Sequence, residues 1–511
     1  MTIRAKDLPR AFNIATHFLD GNDPGRIALL TSAGPVTYGR VQALASQVGH
    51  VLRGLGVRRG DRVLLALGDG VESVATWYGV QKIGAVTAEV YTYLQPEEYR
   101  FFAEYARPAV VVADAYTLDR LRAAGIRNLL VVGVPEEELR PGEHHFASLT
   151  ADAPPELPAA PTTPDDVAMW RFTTGSTGKP KACVLAARSA ALSMEYFGRG
   201  VLDLGPDDIV LPVPKLFFGY ANNLTALFPF RVGAKGIVFP ERSTPERIFE
   251  LIAEHRPTVL VNVPTMMAAM LAHPDAAGQD LSSVRVCISA GEALPVELHR
   301  RFLRTFGVEV IDGIGSSEMF HGYVCNRLGQ VRMGTLGQAV PGYDVRVVDE
   351  HGAPLPDGEV GRLEITGETA ALEYWQDPAK TATTFVAPNT VRSADLFSRD
   401  EDGYFTFRGR ADDLLKVAGK WIAPGEIENC LLTHPAVAAC AVVGVEREGL
   451  TVLRAYVVTG GTATATAQEL RDHVRSLLSP HKCPKDVRLV DALPETASGK
   501  INRRALTSAA H

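Results

Sequence analysis

Short apolar runs alternate with helix-period stretches over the first two-thirds of this 511-residue chain, and that alternation leaves few folds open. Arg62–Leu67, Ala109–Val112 and Leu129–Val132 read as buried strands, and Val41–Leu52 as a helix. Ala151–Asp166 is rich in Pro, Ala and Thr and reads as a linker. Beyond it the pattern resumes, with strands at Ile209–Val213, Gly236–Phe239, Val259–Val263 and Val284–Ser289. Pro245–His255 is a helix with Ile248, Phe249 and Ile252 on one face. Strands alternating with helices predict α/β layers built on largely parallel sheets.

From about Gly337 the texture changes. Tyr343–Asp349, Gly361–Thr366 and Tyr404–Arg408 are short strands between turns such as Asp357-Gly358 and Asp402-Gly403, the pattern of a small antiparallel β-barrel. Helix Pro424–Leu432, strands Ala438–Val443 and Arg454–Val458, and helix Ala467–Leu478 then suffice for a small α+β domain. The expected organisation is an N-terminal domain over 1–411 and a C-terminal domain over 412–511. The first divides into sub-lobes at about 1–160 and 161–336 and a β-rich part at 337–411.

Composition excludes several function classes. The hydrophobic fraction of 46% and charged fraction of 22% are those of a soluble globular protein. The net charge of −7, without a long basic run, argues against nucleic acid or an anionic membrane as partner. No apolar segment approaches the ~20 residues of a membrane span, and the first residues lack a signal-peptide core. The six cysteines are scattered with no CxxC pair, so reduced thiols in a cytoplasmic protein are expected, and no cysteine metal site.

The strongest chemical signal is the stretch Thr173, Thr174, Gly175, Ser176, Thr177, Gly178, Lys179, Pro180, Lys181, which follows the apolar run Val167–Phe172. Glycines let backbone N–H groups turn toward an anion, hydroxyls donate to phosphate oxygens and lysines supply charge. It is not a Walker A loop, because Gly175 and Gly178 are separated by two residues and not four. A phosphate loop of another kind is expected.

Five further motifs follow that loop: Ser289-Ala290-Gly291-Glu292-Ala293-Leu294-Pro295, Gly313-Ile314-Gly315-Ser316-Ser317-Glu318, Asp395 in Arg392-Ser393-Ala394-Asp395-Leu396, Gly409-Arg410-Ala411-Asp412-Asp413, and Pro494–Lys500. In this order they resemble the adenylate-forming enzymes: acyl-CoA synthetases, peptide-synthetase adenylation domains and luciferases. The resemblance spans nearly the whole chain. It implies two α/β sub-lobes with a small β-barrel, followed by a small mobile C-terminal domain. It also implies attack of a carboxylate on the α-phosphate of ATP and capture of the acyl-adenylate by a thiol.

The same resemblance assigns roles. The loop from Thr173 to Lys181 holds the β- and γ-phosphates, Ser317 bonds the α-phosphate and Glu318 holds Mg2+. Gly291, Glu292, Ala293, Asp312 and Gly313 lie on the adenine side, and Asp395 and Arg410 at the ribose. Lys500 bridges the attacking carboxylate and the α-phosphate. Rotation about a hinge at Asp412 withdraws Lys500 and presents Lys416, Gly419, Lys420 and Trp421 to a pantetheine arm. ATP, Mg2+ and coenzyme A are the implied cofactors. A carrier-protein phosphopantetheine or an amine is an alternative acceptor, and a non-catalytic nucleotide- or acyl-binding relative is the rival from another class.

Closer similarity is to benzoate- and other aryl-CoA ligases, through Leu216-Phe217-Phe218-Gly219-Tyr220, Val263-Pro264-Thr265, Glu318-Met319-Phe320-His321 and Leu415–Gly419. It implies an aryl pocket lined by Tyr220, Ala221, Asn222, Asn262, Val263, Ala290, Ile314, Gly315 and His321, with Gly291 and Gly313 beside it. Benzoate ligases are glycine-rich after the tyrosine. Here Ala221-Asn222-Asn223 follows it, and Asn262 precedes Val263. Asparagine beside a ring would pair with a hydroxyl or amino substituent, so a substituted benzoate is expected. A small-molecule aryl acid is the implied partner, with a carrier protein and a homodimer left open.

Blander readings stand beside these. Glu318 caps a helix beginning near Met319, and Asn222 or Asn223 one beginning at Leu224. Asp395 and Arg410 form an ion pair, and His321 is a core histidine. Ala182, Ala186-Ala187 and Ser393-Ala394 depart from the family pattern without removing a charged group.

Overall fold

The structure is a computed structural model and describes residues 2–174, 180–410, 415–417, 420–422, 424–447, 450–460, 464–494 and 501–508. Among them, one sheet has eight strands, in the order Glu373–Tyr374, Pro180–Ala186, Val167–Thr174, Val86–Glu89, Arg62–Ala66, Val110–Asp114, Leu129–Val132 and Glu143–His145. From Val167–Thr174 onward all neighbours are parallel. A second sheet of nine described strands runs Gln338–Ala339, Gly322–Cys325, Val310–Gly315, Val286–Ser289, Val259–Asn262, Ile209–Pro212, Lys235–Ile237, Ile27–Thr31 and Gly34–Thr37. Its middle six strands are parallel. Parallel strands are covered on both faces, so Val259–Asn262 and Val286–Ser289 are buried along their whole length.

The sheets do not divide near residue 160. Ile27–Thr31 and Gly34–Thr37 leave the first run to flank Lys235–Ile237. Val167–Thr174 and Pro180–Ala186 leave the second run to complete the first sheet. Periodicity marks a strand but does not name its partner. Nor is Ala151–Asp166 a loose linker. Its start lies in the helix Phe146–Asp152, Leu157 is buried, Phe12 N–H donates to the Thr162 carbonyl at 2.8 Å and Ala160 N–H to that of Lys82 at 2.8 Å.

The β-rich part is an antiparallel sheet of five described strands, Asp344–Val348, Gly361–Thr366, Phe385–Ala387, Thr390–Arg399 and Phe405–Arg410. One apolar core runs through all three sheets, joining Leu65, Ile288 and Phe397. Ile427, Val442, Leu453 and Leu470 form a separate core around Val437–Arg447, Leu450–Thr459 and Asp486–Leu489. No described helix is long and apolar enough to cross a membrane.

Candidate active site

Strands of both large sheets end at one seam. Glu89, Thr174, Asn262, Ser289 and Gly315 are the last residues of their strands. Beyond such carboxyl ends lies the ligand crevice of open α/β sheets. Val167–Thr174 and Pro180–Ala186 form an antiparallel pair with Thr173 opposite Lys181, so the phosphate-loop residues link two adjacent strands. Gly175, Ser176, Thr177, Gly178 and Lys179 lie outside the described residues. The Lys181 Nζ stands 5.5 Å from the centre of the Tyr374 ring.

Glu318 sits in the single turn Ser317–Met319. The cap of this turn is Ser316, whose Oγ accepts from Met319 N–H at 3.3 Å, so Glu318 is not needed there. Its Oε1 accepts from the Tyr374 hydroxyl at 2.6 Å. The next residue but one, Phe320, has φ +70°, a strained conformation for a side chain with a Cβ.

Two residues that the sequence did not single out hold this turn in place. Arg171 projects from Val167–Thr174 and is buried. Its Nη1 donates to the Phe320 carbonyl at 2.5 Å and its Nη2 to Asn223 Oδ1 at 2.5 Å, and its guanidinium stacks 4.1 Å from the Phe320 ring centre. A Cβ on Gly219 would lie 2.5 Å from this guanidinium. Glu89 ends the neighbouring strand, and its Oε1 accepts from Trp77 Nε1 at 2.9 Å and from Asn222 Nδ2 at 3.0 Å. Burial pushes the Glu89 carboxyl up, while Arg171, Asn222 and Trp77 pull it down. Burial lowers Arg171 to about 10, against the opposing pull of Glu89. A cavity of about 80 Å³ lies against Glu89, Arg171, Phe217, Phe218, Gly219 and Ser317. The sequence signal was present: two opposite charges, each inside an apolar strand.

The expected aryl wall divides into two groups. Tyr220, Val263, Ala290, Ile314 and Gly315 keep exposed surface. Tyr220 OH donates to the Ile288 carbonyl at 3.2 Å. Ala221, Asn222, Asn262 and His321 are buried. The Asn222 amide is committed to Glu89, and Asn262 Oδ1 accepts from Val263 N–H at 2.8 Å. Asn222 and Asn223 do not cap a helix at Leu224, because the helical segment begins at Gly219 and runs through them with a widened, π-type turn at Asn223–Leu227. Asn223 instead bridges Arg171 to His321, its Nδ2 standing 3.2 Å from His321 Nδ1. Arg171 only donates, so Asn223 presents its oxygen to Arg171 and its NH2 to His321. His321 Nδ1 is therefore the acceptor and Nε2 carries the proton. Burial, with Arg171 adding to it, lowers His321 to about 3, so the ring is neutral. Its Nε2 is buried without a hydrogen-bond partner among the described residues.

On the adenine side, Gly291 has φ +87°, and Glu292 Oε2 accepts from Thr265 Oγ1 at 2.7 Å. A Cβ at Gly313 would meet the Val324 carbonyl at 2.8 Å. Ser289 and Asp312 are buried cross-strand neighbours, and the Ser289 hydroxyl bears on the Asp312 carboxyl. Ala293 joins Gly291 and Glu292 in the loop before the helix Val296–Phe306. Asp395 lies opposite Arg410 across the pair Thr390–Arg399 and Phe405–Arg410. In the C-terminal part, Lys416 is opposite Trp421 and Val417 opposite Lys420 in a two-stranded hairpin. Gly419, Asp412 and Lys500 lie outside the described residues.

Residues 20–375 match the AMP-binding enzyme family, and 426–500 match the AMP-binding enzyme C-terminal domain. The chain belongs to the AMP-binding enzyme family. This AMP-binding enzyme is 38% identical to a benzoate–CoA ligase of Thauera aromatica, over 98% of the chain and 97% of that protein. It is 34% identical to a 4-hydroxybenzoate–CoA/benzoate–CoA ligase of Rhodopseudomonas palustris, over 97% and 94%. Its fold superposes with a TM-score of 0.94 on the anthranilate CoA ligase AuaEII solved in complex with anthranoyl-AMP, at 34% identity over 99% of both chains. Its architecture is that of the adenylate-forming enzymes.

Asp312 makes a pH prediction for this AMP-binding enzyme. Burial raises its carboxyl from 3.8 to about 8, with Ser289 and the Gly313 amide opposing. Between those values the unfolded chain has lost a proton that the folded one keeps. Stability from this group is therefore full below about pH 4 and lost progressively up to about pH 8. Asp312→Asn is expected to flatten that slope. Urea midpoints at about pH 5 and about pH 8 test it, and an unchanged difference between them would contradict the buried acid.

Proposed function

We propose that this chain is an ATP-dependent acid–thiol ligase that converts an aryl carboxylic acid to its aryl-adenylate and then to its CoA thioester. The observation that carries this reading is the convergence at one seam of Lys181, Glu318 and the Tyr220 wall. Tyr374 touches both Lys181 and Glu318, and the turn after Glu318 leads directly to His321. The benzoate, hydroxybenzoate and anthranilate ligases to which the chain is similar support the same class of acid.

In the first step the aryl carboxylate oxygen bonds to the α-phosphorus and pyrophosphate leaves. In the second a thiol bonds to the adenylate carbonyl carbon and AMP leaves. The first step brings an anion to a polyanion, so positioning and charge neutralisation are the main tasks. Residues Thr173–Lys181 are proposed to hold the leaving pyrophosphate, Ser317 the α-phosphate, and Asp395 and Arg410 the ribose. Gly291–Ala293, Asp312 and Gly313 are assigned to the adenine side. Glu318 suits Mg2+, a hard cation that takes one or two carboxylates beside phosphate oxygens. Once bound, the ion neutralises phosphate charge. Lys500 is assigned to the adenylating arrangement, Lys416–Trp421 to the pantetheine arm and Asp412 to the hinge.

The acid is proposed to be a hydroxy- or amino-substituted benzoate. Support for the substituent comes from His321. Its Nε2–H is a buried donor with no hydrogen-bond partner among the described residues, and a ring substituent with a lone pair would satisfy it. A panel of substituted benzoates with ATP and Mg2+, run with and without CoA and analysed for AMP and thioester, tests both points. The expected result is CoA-dependent thioester, with kcat/KM for the best substituted acid about tenfold or more above benzoate. Plain benzoate outperforming every substituted acid would remove the substituent. Absence of ATP–pyrophosphate exchange with every acid would remove the reaction.

A further inference from the structure

We infer that Tyr374 is a positioning residue that fixes the Glu318 carboxylate and stations Lys181 at the pyrophosphate end of the site. The inference rests on the reading of Glu318 as the Mg2+-holding carboxylate. Tyr374 belongs to none of the motifs that carry the resemblance. It lies in the two-residue strand Glu373–Tyr374, opposite Cys183 on Pro180–Ala186. Its ring is buried against Phe385, with centres 5.3 Å apart. The hydroxyl donates to Glu318 Oε1 at 2.6 Å, a charge-assisted bond of the strong kind. Lys181 is two residues before Cys183, hence on the same face of its strand, and its ammonium stands over the same ring.

The backbone around Tyr374 is pinned from both sides. Ala371 N–H donates to the Glu318 carbonyl at 2.7 Å, Leu372 N–H to Val184 at 2.8 Å and Trp375 N–H to Ala182 at 2.9 Å. One short segment thus clips the strand that follows the phosphate loop to the turn that carries Glu318. The phenol thus restrains the carboxylate through Oε1, and the buried Cys183 thiol bears on the same side chain. A free carboxylate would have to be ordered each time Mg-ATP arrived, and that ordering would weaken binding.

Tyr374→Phe removes the hydroxyl and keeps the ring under Lys181. ATP binding is measured by calorimetry over a series of Mg2+ concentrations, without aryl acid, on the full chain. The Mg2+ concentration giving half-maximal ATP binding is expected to rise about tenfold, the loss of one hydrogen bond to a charged group. ATP affinity at saturating Mg2+ should stay within about twofold, and the adenylation rate should recover as Mg2+ is raised. Tyr374→Leu, which also removes the ring, is expected to weaken ATP binding even at saturating Mg2+. An unchanged Mg2+ requirement in Tyr374→Phe, or a loss equal at every Mg2+ concentration, overturns the inference and leaves Tyr374 a packing residue. Glu318→Gln separates the two levels. If that variant keeps the wild-type Mg2+ requirement, the metal reading of Glu318 fails first.

Discussion

Lys500→Ala is expected to slow aryl-adenylate formation by roughly 10³-fold, the scale of removing one group aimed at charge that develops in the transition state. Thioester formation from preformed aryl-adenylate should stay within about an order of magnitude of wild type, because Lys500 would by then be withdrawn. The asymmetry follows from the division of the chain. The segment that resembles the family's terminal lysine motif lies in the stretch 426–500 that matches the C-terminal domain family, whose described residues have their own core around Ile427, Val442 and Leu470, while Glu318 and Lys181 belong to the part whose core joins Leu65, Ile288 and Phe397. A ligand held by both needs the two parts brought together for one step only. ATP–pyrophosphate exchange measures the first half-reaction, and single-turnover reaction of synthetic adenylate with CoA measures the second. Equal loss in both would remove the two-arrangement reading. Gly419 or Trp421 substitutions should show the opposite pattern.

Arg171→Met is expected to destabilise the large domain by about 3–5 kcal/mol, the cost of leaving a buried charge without its partner. The change strips donors from the Phe320 carbonyl and Asn223 Oδ1 and leaves Glu89 buried without its counter-charge. It also releases the positive-φ turn at Phe320 that joins Glu318 to His321. Adding Glu89→Gln should recover a large part of the loss, because the uncompensated charge goes with it. Urea unfolding followed by tryptophan fluorescence reports on this region through Trp77 and Trp170. A single-variant loss below about 1 kcal/mol, or no recovery in the double variant, would contradict the pairing.

Much of the local structure was legible in the residues. Leu129–Val132, Gly361–Thr366, Pro245–His255 and Pro424–Leu432 stand where their periodicity put them, because a strand or helix face is written within a few neighbouring positions. Sheet order was not legible, because pairing Ile27–Thr31 with Lys235–Ile237 depends on residues about 200 positions apart. The site divides in the same way. Glu318 and the phosphate loop carry local signatures of glycine and hydroxyl residues. Glu89 and Arg171 each read as one stray charge in an apolar run, and only the register of Val86–Glu89 on Val167–Thr174 brings them level. Asn222 and Asn223 looked like caps or substrate contacts because their partners, Glu89 and Arg171, come from a different sheet.

The interleaving of the two large sheets limits how such a chain can change by exchange of segments. Its path runs from the second sheet to the first, back to the second, then through the antiparallel sheet with one short return to the first at Glu373–Tyr374. A contiguous piece long enough to bring a new aryl wall would also bring strands from the nucleotide side of the seam, or cut through their pairings. Past Phe405–Arg410 the situation reverses, because the chain passes once from the large core to the hairpin beginning at Leu415. That single crossing is the place where a recombination event could give the same aryl-activating body a different partner for its second step.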